Sequence, residues 1–181
     1  MMADSRRWRT LVPEAKYQKI RQLFLKAVGL DIDHFQHLRP LVLSNLILEK
    51  MLSDDYPRAL DHQLWQLAKQ LEKQLLGIET FSFQMNLLSS IPMEDQLSNL
   101  LELARNISKH RRQIQKMADL YARADLRQLH KQVARSTGRQ RRLLLYNRNQ
   151  TMAQKIHQFG LQQTTFAAIG AGHLSGKFGV L

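Results

Sequence analysis

The amino-acid sequence predicts an α/β protein that is mostly helical and contains a few short strands. Three observations support this prediction. Only 8 of the 181 residues are glycine and 4 are proline, which favours long, uninterrupted helices. Apolar residues recur every three or four positions through most of the chain, as they do on one face of a helix. Two short apolar segments, residues 75–79 and 164–170, lack this period and are predicted to be strands.

The helices in the first part of the chain are predicted from apolar stripes and from the residues that begin and end them. One stripe follows Pro13 and ends before Gly29. A strongly apolar helix is predicted over residues 41–52, with Pro40 near its start. Evenly spaced leucines predict the next helix over residues 60–75.

The helices in the second part begin at clear start signals. Pro92 is followed by Glu94 and Asp95, which suit the first turn and the positive end of the helix dipole. Gly160 is predicted to end the last helix. These helices are expected from Pro92 through residue 121 in one or two pieces, from Asp125 to about Val133, and over residues 143–159. With 181 residues, the chain has the size of a single domain.

A histidine stands among glycines after the second predicted strand, in the stretch Gly170-Ala171-Gly172-His173. Glycines at this point allow a tight turn with positive φ and a close approach of the backbone. A histidine beyond such a turn would lie at the sheet edge, available as a metal ligand or an acid/base group. The alternative is a glycine loop whose histidine only hydrogen-bonds the backbone.

Glu79 and Arg148 are the two charged candidates that accompany this histidine. Glu79 ends the first predicted strand, and a parallel sheet would bring it to the same edge as the histidine, as a metal ligand or general base. The alternative is an acid at the start of the next helix. Arg148, beside Asn149, either clamps a carboxylate or phosphate or lies on a solvated basic face.

Composition limits the classes of partner and compartment. The formal net charge of +12 favours anionic partners, and residues 105–148 hold thirteen Lys and Arg against Asp119 and Asp125. Aromatic residues for base stacking are scarce there, which argues against single-stranded nucleic acid. The lack of cysteine excludes disulfides and thiolate metal sites. We find no signal peptide and no membrane-spanning stretch, so the localisation stays open.

Three stretches together resemble the TraB/GumN family, which is related to the Tiki metalloproteases. They are GIETFSFQMNLLSSIPMEDQ at residues 77–96, YNRNQTMAQKI at residues 146–156 and FAAIGAGHLSGKFGVL at residues 166–181. Their order and separation match the motifs of the family. The last stretch is the most specific, because it follows the pattern G-A-G-H-L-x-G-x-x-G-V closely. The resemblance covers most of the chain.

The resemblance implies an α/β core with a large helical insert, in a partial EreA/ChaN/Tiki-like fold. The activity that it implies is hydrolysis of a peptide or protein substrate with a divalent metal ion of unknown identity. The implied site residues are the catalytic Glu79, Arg148 and His173, of which His173 and Glu79 would also bind the metal, with Gly170, Gly172 and Asn149 in support.

The resemblance also suggests a fragment of the family domain over residues 1–181. The family's first G-x-x-H motif, its N-terminal strands and its C-terminal strand find no counterpart in the sequence. With one histidine motif missing, we expect an impaired enzyme. We also expect exposed sheet edges, which a homo-oligomer would cover.

The alternative is a non-enzymatic, basic, helical protein that binds nucleic acid or another anionic partner. The two hypotheses place different residues together. The first brings the three catalytic candidates into one cleft. The second builds one positive face from Arg111, Arg112, Arg139, Arg141 and Arg142.

Overall fold

The structure is a computed structural model that describes residues 7–52 and 59–181. The described chain forms two compact units, one from residues 7–52 and 88–116 and the other from residues 59–87 and 117–181. In chain order, the α-helices are α1 (Arg7–Thr10), α2 (Glu14–Val28), α3 (Pro40–Glu49), α4 (Leu60–Gln70), α5 (Phe81–Ser90), α6 (Met93–Arg105), α7 (Ile107–Ala122), α8 (Leu126–Ser136) and α9 (Asn147–Gln162).

The described residues form helices and no strand, so the predicted α/β class is wrong. Residues 75–77 are irregular. Residues 164–169 are not helical either, but no described residue hydrogen-bonds their backbone, and Phe166 is 81% exposed. A strand is stabilised by pairing with a neighbour and by burial on a sheet, and both are missing here. The sheet edges that a homo-oligomer was expected to cover are therefore missing from the described residues as well.

Most of the predicted helices are present in the structure, but several of them begin or end a few residues from the predicted boundary. Helix α2 ends at Gly29, which takes the left-handed conformation with φ of 66°. The stripe over residues 97–121 divides into α6 and α7 at Asn106, which is not helical. Helix α4 ends at Gln70, five residues earlier than predicted. Helix α9 continues through Gly160 to Gln162, and one glycine inside a helix costs only about 1 kcal/mol relative to alanine.

The first unit is organised around one buried cluster of aromatic and aliphatic side chains. Helix α6 packs against both α2 and α3. Gln96 on α6 is buried without loss of hydrogen bonds, because its amide nitrogen donates to the carbonyl oxygens of Leu88 and Ile91. The largest members of the cluster are Trp8, Tyr17, Phe24, Ile32, Leu43, Ile47 and Leu100.

Two acids that follow α2 in the chain, Asp31 and Asp33, pair with side chains on that helix. Arg21 donates to both oxygens of Asp31, and this pairing lowers the pKa of Asp31 to about 2. Tyr17 donates to Asp33, which holds the pKa of the Asp33 carboxyl below its usual value.

The second unit packs α8 against the glycine-rich segment that follows α9. Residues 171–173 form a short 3-10 helix in contact with α8. Gly172 has to be glycine, because a Cβ there would lie 2.9 Å from Cγ2 of Val133. Gly176 has a φ of +100°, so the positive φ expected in this loop occurs later than Gly170, which is at −58°.

No helix in the described part of the chain is both long enough and apolar enough to cross a membrane. This agrees with the absence of a membrane-spanning stretch in the sequence.

Candidate functional site

Glu79 and Arg148 form a bidentate ion pair in the second unit. The guanidinium Nε donates to Oε1 over 2.8 Å and Nη2 donates to Oε2 over 2.7 Å. The two side chains are 6% and 20% exposed, so the pair is largely shielded from water. The remaining Nη1 donates to the carbonyl oxygen of Leu144 on the preceding turn. All three nitrogens of Arg148 therefore have acceptors within the chain.

The backbone on either side of Glu79 is fixed to helices. Lys155 on α9 donates to the carbonyl oxygen of Ile78 over 2.6 Å. Thr80 lies immediately before α5 and caps its start, because its hydroxyl oxygen accepts a hydrogen bond from the backbone N–H of Phe83. Glu79 therefore lies just before a helix start, as one of the two interpretations of the sequence predicts, and its carboxylate also pairs with Arg148.

Asn149, the next residue on α9, holds His173. Its side chain is buried, and its Nδ2 donates to the carbonyl oxygen of Phe178 over 2.6 Å. A carbonyl oxygen only accepts, so this contact fixes the orientation of the amide and points its Oδ1 at the imidazole. Nδ1 of His173 lies 2.5 Å from that oxygen and must carry the proton. The lone pair of the neutral ring is therefore on Nε2.

No described residue hydrogen-bonds Nε2 of His173, which leaves that nitrogen available to a ligand. The ring is about half-buried. Burial lowers the pKa of His173 below its usual 6.5, and the positive charge of Arg148 lowers the pKa further. The negative charge of Glu79 acts in the opposite direction, and His130 adds a smaller lowering effect. The imidazole is therefore neutral at pH 7.

The pKa of Glu79 is also below its usual value. The hydrogen bonds from Arg148 are the main cause, while burial acts in the opposite direction. The carboxylate also accepts a long hydrogen bond of 3.3 Å from Gln84. Glu79 is therefore ionised at neutral pH, and its charge is balanced by the guanidinium.

Helix α9 brings the predicted site residues together, although the described residues form no sheet. Arg148 and Asn149 are consecutive on its first turn, and each binds one residue from a distant part of the chain. Their partners interact electrostatically, because Glu79 raises the pKa of His173 and His173 lowers the pKa of Glu79. Gly172 packs on α8 beside His173, whereas a Cβ at Gly170 would make only an ordinary contact of 3.5 Å with that ring. The chemical roles assigned to these residues stay predictions.

Three contributions to the site are not predicted from the sequence. The sequence favours a surface position for His130 on α8, but its Nδ1 lies 3.1 Å from the carbonyl oxygen of Gly172. Its position one turn from Leu126 and Val133 on an amphipathic helix is the available signal. Lys155 and the carbonyl of Phe178 carry no comparable signal, because their contacts depend on residues far away in sequence.

We call Glu79, Arg148, Asn149 and His173 the His173 cluster. An apolar cavity of about 300 Å³ lies along α9 next to Asn149 and His173. It begins one turn beyond Asn149, at Ala153, and its other wall comes from the segment that follows α9. The lining residues are Ala153, Ile156, His157, Ala167, Ile169, Leu174, Val180 and Leu181.

The described residues do not fit a catalytic metal ion. Such an ion normally keeps about three protein ligands. Among residues 7–52 and 59–181 there is no group of three or more His, Asp or Glu that could hold one. Glu79 uses both oxygens on Arg148, whose positive charge would also repel a cation. His173 offers one suitable nitrogen, Nε2. Its other ring nitrogen is hydrogen-bonded to Asn149, as is common for metal-binding histidines.

The model of the TraB/PrgY/gumN family matches residues 1–181, which is the whole chain. No curated protein and no solved structure gives a significant match.

Proposed function

The chain belongs to the TraB/PrgY/gumN family, and from this premise we propose that it hydrolyses peptide bonds with His173 as the general base. The observation that carries the proposal is the fixed tautomer of His173. Asn149 holds the proton on Nδ1 and leaves the Nε2 lone pair without a partner among the described residues. A neutral imidazole with an available nitrogen is the group most often used to remove a proton from water.

In the proposed reaction, Nε2 of His173 takes a proton from a water molecule while the water oxygen attacks the peptide carbonyl carbon. The Nδ1–H bond to Asn149 keeps the ring in place and stabilises the imidazolium that forms. When the carbon–nitrogen bond breaks, the imidazolium returns the proton to the leaving amine. The products are a carboxylic acid and an amine, and the histidine ends neutral.

Glu79 and Arg148 act in this proposal as positioning residues. Their pair ties the residues before α5 to the first turn of α9, next to Asn149. It also presents a positive and a negative charge to His173, of which the positive one has the larger effect. The pair therefore helps keep the imidazole unprotonated and ready to accept a proton.

The apolar cavity beside the cluster suggests a peptide with a small apolar side chain near the cleaved bond. A volume of about 300 Å³ accepts such a side chain, and the lining is almost entirely aliphatic. No step of the proposal uses a metal ion, because the described donors do not fit one.

The test is an assay of amine release from a mixed peptide library by the chain, its His173→Gln variant and a His62→Gln control. His62 is exposed on α4 and takes no part in the cluster. We expect loss of general-base catalysis to reduce hydrolysis by about 10²-fold or more in His173→Gln, with the control unchanged. Equal rates in all three proteins would contradict the proposal.

A second arm of the assay separates the proposal from metal-dependent hydrolysis, which the family resemblance implies. Hydrolysis is measured with EDTA and then with added Mn²⁺ or Zn²⁺. We expect activity to persist in EDTA, because the proposed step needs only the imidazole. Activity that EDTA removes and a divalent metal restores would replace our proposal with a metal-dependent one.

A further inference from the structure

Helix α8 carries a row of cations on an exposed side of the helix. Arg127, Lys131 and Arg135 are four residues apart, so a helix of 3.6 residues per turn places them in one row with a rise of about 6 Å between neighbours. All three side chains are exposed. We call these three residues the α8 cationic row.

No acid in the described ranges balances the α8 cationic row. None of its three residues makes an ion pair or a side-chain hydrogen bond with any residue there. Asp125, the acid before the helix, is used as the N-cap and accepts from the backbone N–H of Gln128. The sequence has no Asp or Glu between Leu126 and Arg148.

Further cations extend the positive charge beyond the ends of the row. Arg141 is less exposed than these cations, and its Nε donates to the carbonyl oxygen of Ala134. The exposed cations that flank the row are Arg123, Arg139 and Arg142.

The other face of α8 is fixed against the protein. Leu129 and Ala134 are buried, and Val133 and His130 contact Gly172. The helix therefore displays its cations on a rigid support. It also has no unused apolar face to insert into a membrane, as a membrane-surface helix needs.

We propose that the α8 cationic row binds the phosphate backbone of a double-stranded nucleic acid. The row offers regularly spaced positive charges, and two of its three residues present the guanidinium fork that matches phosphate geometry. A duplex offers phosphates at regular spacing along a rigid rod. Tyr121 is the one exposed aromatic side chain between Met117 and Gln140, so stacking on single-stranded bases has little support.

This binding is sequence-independent, because the contacts are to phosphate and not to base edges. It is also separate from the proposed hydrolysis. The row lies on the far side of α8 from Gly172, and none of its residues takes part in the His173 cluster.

The experiment measures binding of the full chain to a fluorescein-labelled DNA duplex by anisotropy at several salt concentrations. The variant Arg127→Glu, Lys131→Glu, Arg135→Glu is compared with the matched control Lys16→Glu, Lys19→Glu, Lys26→Glu. The control residues are exposed on α2 and give the same change in net charge. Circular dichroism checks that both variants remain folded.

We expect the α8 variant to bind the duplex at least 10-fold more weakly than the control at low salt. The slope of log K against log salt should fall in magnitude by about three, roughly one for each phosphate that the variant no longer neutralises. An equal weakening in both variants would overturn the proposal, since it would reflect total charge alone. So would the absence of DNA binding at low salt, or binding of phosphatidylserine vesicles or polyglutamate in its place.

Discussion

Asn149 determines which nitrogen of His173 carries the proton, because both the nitrogen and the oxygen of its side-chain amide are hydrogen-bonded. Its nitrogen is bound to the carbonyl of Phe178 and its oxygen to Nδ1 of His173. A buried amide with both ends engaged cannot rotate without losing a hydrogen bond, and each lost bond in a buried place is costly. The proton position on His173 therefore follows from a neighbour on α9, 24 residues away.

The charges of Glu79 and Arg148 predict the direction in which the pKa of His173 changes in two variants. Glu79→Gln removes the charge that raises the pKa of His173 and leaves Arg148 unopposed, so the pKa of His173 should fall further. The double variant Glu79→Gln, Arg148→Gln removes both charges. Because Arg148 has the larger effect, the pKa should then rise toward 6.5 and stay below it, since burial remains.

Titration of the imidazole by NMR measures both shifts, and nitrogen-15 shifts of the same ring report the tautomer. The double variant avoids leaving a buried charge without its partner, which would be strongly destabilising. Shifts of the same sign in both variants, or a proton on Nε2 in the starting protein, would show that the charges or the Asn149 contact do not act as described.

At the scale of elements, substitutions at two glycines without close neighbours report the effect of backbone conformation without an effect of packing. A Cβ at Gly29 or at Gly160 would meet no atom within 4 Å. Gly29 ends α2 with a φ of +66°, while Gly160 lies inside α9 in an ordinary helical conformation. The two positions therefore differ only in the conformation that an added side chain would have to accept.

We expect Gly29→Ala to lower the free energy of unfolding by about 1 kcal/mol, because alanine is disfavoured in the left-handed region. We expect Gly160→Ala to raise it by about 0.5 to 1 kcal/mol, because alanine is the better helix former. Urea denaturation of the two variants tests this. A change of the same sign at both positions would contradict the assignment of these conformations.

In an open α/β fold, the edge of the sheet brings residues from distant parts of the chain together. In this protein the start of helix α9 has that effect. Its first turn presents Arg148 and Asn149 side by side, and each residue binds one distant partner. The π-helical turn of residues 142–146 directly precedes it and continues into it without a break. The turn also carries Leu145, which is buried, so this end of the helix is anchored.

Across the whole molecule, acidic groups and histidine make stability depend on pH in different ranges. His173 has a lowered pKa in the folded state. Below about pH 6.5 the unfolded chain therefore binds a proton that the folded chain does not. The free energy of unfolding consequently decreases as the pH is lowered through this range. Glu79 loses its contribution only below about pH 4.5, and Asp31 below about 3.8.

We therefore predict that the stability lost between pH 7 and pH 5 depends on His173. Urea denaturation followed by circular dichroism at the two pH values should show a smaller loss for His173→Gln than for the starting protein. His62→Gln should keep the full loss. If His173→Gln and His62→Gln respond alike, the imidazole is not the group that couples stability to pH in this range.

The sequence predicts much of the helical structure because helix signals are local. The apolar stripe and Gly29 define α2, and Pro92 with two acids defines the start of α6. These signals fall within one or two turns of the residues they affect. The strands are predicted wrongly for the opposite reason. Residues 164–169 have the composition of a strand, but a strand also needs a partner, which its own sequence cannot supply.

The sequence by itself determined the family and the residues that meet at the site. Its motifs, and their places beside apolar segments, point to Glu79, Arg148, Asn149 and His173. Tertiary structure alone decided how they meet: Glu79 pairs with an arginine 69 positions away, and Asn149 sets the tautomer of His173. Local sequence specifies conformation over a few residues, whereas a pKa or a tautomer depends on atoms that only folding brings within hydrogen-bonding distance.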